Sequence, residues 1–112
     1  MSQMTEIMIT GVTENNIEVL HFINAIIKHD DRCSGGKLKD VSVYCGGTKA
    51  MGNIYAGAFN YLDTDNFLKK IKQAPFTDND LDFVQIFIRK DSCVDEDNLF
   101  IAYRLKDLAK GE

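Results

Sequence analysis

The residues in this 112-residue chain that could do chemistry are two histidines, three cysteines, two double glycines and two clusters of carboxylates. His21 and His29 stand eight residues apart on one predicted helix, at neighbouring azimuths two turns apart. Metal chelation from a single helix needs a spacing of three or four, so this is a poor zinc pair. A general base needs an orienting acid, and none stands near His21 in the sequence. A partly buried structural histidine is the expectation there.

Cys33, Cys45 and Cys93 are odd in number, and no CxxC pair occurs. Zinc ribbons, thioredoxin-like sites and a secreted disulfide scaffold are therefore not signalled. Cys45 adjoins Gly46-Gly47 and lies four residues before Lys49. A nucleophilic thiolate needs a cation, a base or a helix N-terminus, and Lys49 alone is a weak provision. Cys45 is expected to be buried and inert, and Cys33 and Cys93 to lie in loops. The segments Ser34-Gly35-Gly36-Lys37 and Cys45-Gly46-Gly47-Thr48-Lys49 offer consecutive N–H groups to a phosphate. A P-loop needs a helix after its glycines, whereas a strand is predicted after each of these, so both read as turns.

The carboxylates gather in Asp78-Asn79-Asp80-Leu81-Asp82 and in Asp91 with Asp95-Glu96-Asp97. The first cluster opens like a calcium loop. It fails where that loop needs glycine at its sixth place, here Phe83, and glutamate at its twelfth, here Arg89. Both clusters are expected in turns open to water, where nothing would shift their pKa values toward neutrality. A solvated surface is the plain reading. The sharper reading makes Asp78, Asp80, Asp82, Asp95, Glu96 and Asp97 a docking surface for a positively charged protein. Arg89, Lys90, Arg104 and Lys106, with Phe87 and Tyr103 nearby, suggest a face for single-stranded RNA, but neither RNP-type aromatic motif is present.

The elements that must position these residues follow from apolar periodicity. Glu6–Val12 reads as a central strand, apolar on both faces. Asn15 caps a first helix, with Glu18 completing a box-like signal. Ile17, Leu20, Ile23 and Ile27 form its stripe, widened by Val19, Phe22 and Ile26, before it fades at His29-Asp30-Asp31. Leu38–Cys45 alternates as a half-buried edge strand, and a third strand runs from Asn53 to Tyr61. Its small face, Ile54, Ala56 and Ala58, is expected to receive a helix. Asp63-Thr64-Asp65 opens a second helix, which carries lysines toward its end and stops at Pro75. Leu81–Lys90 and Leu99–Leu105 read as strands four and five, joined by a hairpin loop, and Lys106–Glu112 as a frayed tail.

The order β-α-β-β-α-β-β predicts a single α+β domain over residues 1–112, of the ferredoxin-like split βαβ type with an added C-terminal hairpin strand. The expected strand order is 5-4-1-3-2 in an antiparallel-rich five-stranded sheet, with both helices on one face. A plain meander of strands two to five, with strand one at an edge, is the alternative. Hydrophobic residues make up 45%, which supplies a core. The net charge of −4 argues against duplex DNA as a partner. No leader or membrane span is visible, so a location in the reducing cytoplasm is expected.

Nothing in the sequence assembles a nucleophile, a base and an oxyanion site, and no cofactor or metal motif is present. The expectation is a binding protein rather than an enzyme. It would be a small acidic domain that docks on a basic partner protein and inhibits or modulates it, by analogy with immunity proteins and phage-encoded anti-defence inhibitors. One alternative is a ligand-binding module or enzyme that uses the Cys45–Lys49 turn with His21. Another is a structural homo-oligomer paired through edge strand two or five.

Overall fold

The computed structural model describes residues 4–45, 52–91 and 100–110. In chain order the elements are β1 (Met4–Val12), α1 (Asn16–Lys28), β2 (Lys39–Asp40), a 3₁₀ turn (Ser42–Cys45), β3 (Asn53–Asn60), α2 (Thr64–Ile71), α3 (Asp78–Leu81), β4 (Gln85–Asp91), β5 (Ile101–Arg104) and α4 (Leu105–Lys110). The five strands form one sheet in the order β2-β3-β1-β4-β5, and every neighbouring pair is antiparallel. This is the expected order. The apolar β1 lies at its centre, with Ile9 opposite Tyr55 on one side and Ile86 on the other.

Both long helices cover one face. Val19, Ile23, Ile26 and Ile27 of α1 share a single core with Phe67 and Ile71 of α2 and with Ile7, Ile9, Tyr55, Phe59, Ile86 and Ile88 of the sheet. The cap on α2 is formed as predicted: the Asp63 carboxylate accepts from Asn66 N–H at 3.1 Å. No helix among the described residues is long and apolar enough to cross a membrane.

Several expectations are corrected. Helices pack on the Tyr55–Phe59 face of β3, and the small Ala56–Ala58 face lies away from them beside Glu6 and Met8. Large side chains fit on the helix side because Gly57 yields room. A Cβ there would meet the Phe59 ring at 3.0 Å and Leu38 at 3.2 Å. Asn15 is a left-handed residue whose amide donates to Pro75 C=O at 3.1 Å and makes no side-chain cap. Ile17 is left out of the core at 77% exposure.

Strand two is reduced to Lys39–Asp40. Beyond it the Asp40 carboxylate accepts from Ser42 N–H at 2.9 Å, and Ser42 Oγ accepts from Ile54 N–H at 2.8 Å. These side-chain acceptors compete with ladder pairing and curl the chain into the 3₁₀ turn, which leaves Val43 and Tyr44 exposed. Strand four starts at Gln85 because Thr77 caps α3 and keeps Asp78–Leu81 helical. As far as Lys110 the tail is a helix rather than a frayed end: Leu105 is buried and its N–H donates to Val84 C=O at 3.0 Å.

Candidate binding surfaces

The first acidic cluster is divided by α3. Asp80 is only 1% exposed, whereas Asp78 and Asp82 face solvent. The Asp80 carboxylate accepts from Thr13 N–H at 2.9 Å, from Glu14 N–H at 3.0 Å and from the Thr13 hydroxyl. Burial pushes its pKa up. The Thr13 hydroxyl and the N–H groups of Glu14 and Thr13 outweigh that and hold it below its ordinary value. Asp80 is thus an internal staple between the β1–α1 turn and α3, and it cannot steer a partner. An i, i+2 alternation on a short helix carries no sign of which carboxylate turns inward, which is why spacing did not separate it from its neighbours.

Around that staple the surface is acidic with one apolar projection. Thr77 Oγ1 donates to Glu14 Oε1 at 2.9 Å, which brings Glu14 to the Asp78 side of the corner. Phe83 follows, with its N–H donating to Asp80 C=O at 3.0 Å and its side chain 68% exposed. Its backbone is held close to β1: a Cβ on Gly11, at φ +95°, would meet the Phe83 carbonyl oxygen at 2.5 Å. An exposed aromatic therefore stands on a backbone held against Gly11, one residue after the exposed Asp82.

Asp95, Glu96 and Asp97 lie outside the described residues. The chain leaves β4 at Asp91, opposite Met4, while Gln85 at the start of β4 sits opposite Thr10. Asp91 and the Asp78–Asp82 segment therefore lie toward opposite ends of β4. Gly46–Lys49 and Cys93 also lie outside the described residues, as does the Cys45 side chain, so the proposed Cys45–Lys49 site has no described geometry.

His21 is exposed, contrary to the partly buried expectation, and lines an open groove between α1 and Cys33–Asp40 together with His29. Cys33 is half-buried at its edge; burial, then the nearby Asp30 charge, pushes its thiol pKa up, away from the thiolate a nucleophile needs. Beneath the groove's N-terminal end, the buried Tyr55 hydroxyl donates to Asn16 C=O at 3.1 Å and contacts Asn16 Oδ1. Burial, then Asp40 and Asp80, raises the Tyr55 pKa, so its proton stays in place. No group of three or more His, Cys, Asp or Glu side chains suited to a metal occurs among the described residues.

Both arginines of the expected basic face on the last hairpin are paired with carboxylates. Arg89 pairs with Glu6 and lies 4.8 Å from the Phe100 ring centroid, and Arg104 pairs with Asp107. Phe87 is opposite Ala102 whereas Tyr103 is opposite Ile86, so the two aromatics point to different faces of the sheet. Comparison with protein families, with curated proteins and with solved structures yields no match.

Proposed function

We propose that this chain is a protein-docking domain of the reducing cytoplasm that blocks or modulates a partner with a basic surface, without catalysis of its own. The observation that carries this reading is Phe83, an exposed aromatic on a backbone held against Gly11, which follows the exposed Asp78 and Asp82 in the chain. Large aromatics at the centre of an interface supply most of its energy, and surrounding charges set orientation and encounter rate. Phe83 is the anchor and the carboxylates are the steering charges; Asp80 holds both in place from within. The β2 edge of the sheet is a poorer docking element, because β2 has two residues and offers little ladder to pair.

Tagged protein used for capture from its native host lysate tests this, with wild type compared against Phe83→Ala and against Asp78→Asn with Asp82→Asn. A stoichiometric basic partner is expected. Phe83→Ala should weaken it by about 2 kcal/mol, and the double acidic variant should slow association and flatten its salt dependence. Capture indifferent to all three substitutions would remove the reading.

A further inference from the structure

A second site lies along α1, at the groove it forms with Cys33–Asp40. In a chain of net charge −4, this groove is lined by Lys28, Lys37 and Lys39, by His21 and His29, and by one carboxylate, Asp40. That carboxylate is already engaged by the Asn16 amide at 3.3 Å and by Ser42 N–H. Asp30, nearby but not in the lining, is turned to Asp63 N–H at 2.9 Å and Arg32 N–H at 3.2 Å.

The loop across the groove is held on both flanks. Ser34 exchanges two backbone hydrogen bonds with Asn60, at 3.0 and 2.7 Å. The Asn24 side chain clasps Leu38, donating to its C=O at 3.1 Å and accepting from its N–H at 2.8 Å. Gly35 presses against β3, where a Cβ would meet Ala58 C=O at 2.9 Å. Between these clasps Gly36 has φ +98° and open space around it. The N–H groups of Gly35, Gly36 and Lys37 have no acceptor among the described residues. Ile17, exposed and excluded from the core, lines the same groove with Leu20 and Ala25.

Fixed backbone donors beside lysines, with an apolar strip alongside, are complementary to a phosphate carrying a small organic body. We propose that this groove binds a small phosphate-bearing ligand, with the phosphate at Gly35–Lys37 and Lys39 and the organic part along Ile17 and Leu20. The site is independent of the Phe83 corner.

Amide NMR titration of the full chain with inorganic phosphate and with hexyl phosphate tests it. Saturable shifts are expected at Gly35, Gly36 and Lys37, with hexyl phosphate tighter than phosphate and adding shifts at Ile17 and Leu20. Lys37→Gln with Lys39→Gln, both exposed positions, should weaken hexyl phosphate about tenfold. Lys69→Gln with Lys70→Gln on α2 should leave it unchanged. Shifts that rise linearly without saturation, or that spread equally over the α2 lysines, mean an adventitious ion only and overturn the proposal. Undiminished binding in the first double variant also overturns it.

Discussion

The two connections that flank α1 use polar residues in opposite ways. Before the helix, Thr13 and Glu14 give their N–H groups to Asp80, and Gly11 lets the Phe83 backbone come close. After it, Gly35 is pressed against β3, but the N–H groups of Gly35, Gly36 and Lys37 have no acceptor among the described residues, and the neighbouring lysines have no described carboxylate to neutralise them. The first corner spends its charge internally and gains rigidity. The second leaves its polar groups at the surface. A buried charge is tolerable only when its hydrogen bonds are complete, so the more fully a polar cluster is satisfied, the less it can do for a partner.

The contrast is broken most severely at Asp80. Asp80→Ala removes the buried carboxylate that accepts from the Thr13 and Glu14 N–H groups and should cost about 3 kcal/mol in urea unfolding, while Asp78→Asn and Asp82→Asn should each fall within about 0.5 kcal/mol. Equal effects at the three positions would place Asp80 at the surface. Next come the glycines. Gly11→Ala meets the Phe83 carbonyl as well as an unfavourable φ and should cost about 2–3 kcal/mol, whereas Gly36→Ala meets nothing and should cost about 1 kcal/mol from φ alone. A thermal-shift comparison of the pair reads this directly.

The smallest effect is on the acid limb. The Asp80 pKa is lower folded than unfolded, so its contribution is fully present above the ordinary carboxylate range and is lost as pH falls through the folded value. Asp80→Asn should therefore flatten the fall of stability below about pH 4; an unchanged slope in acid-unfolding curves would assign the fall to other groups.

Legibility divides along the same physical line. Strand order followed from apolar continuity in β1 and from the helix signals between the strands, and Asp63 capped α2 as its position implied. These are local or pattern-level properties, carried by the period of the side chains. What spacing could not carry was the partner of each polar group. Ser42 and Asp40 looked like residues of an alternating strand, yet their side chains captured backbone donors and ended it. Leu105 ended a predicted strand and instead began α4, because Val84 supplied its acceptor.

By itself, then, the chain's sequence determined an α+β sheet with β1 at its centre, since hydrophobic burial depends on residue type and period. Only the tertiary structure decided that Asp80 turns inward while Asp78 and Asp82 turn out, that Phe83 projects, and that Lys28, Lys37 and Lys39 border one groove. Those outcomes rest on hydrogen bonds and contacts between segments as many as 67 residues apart, which no local pattern encodes.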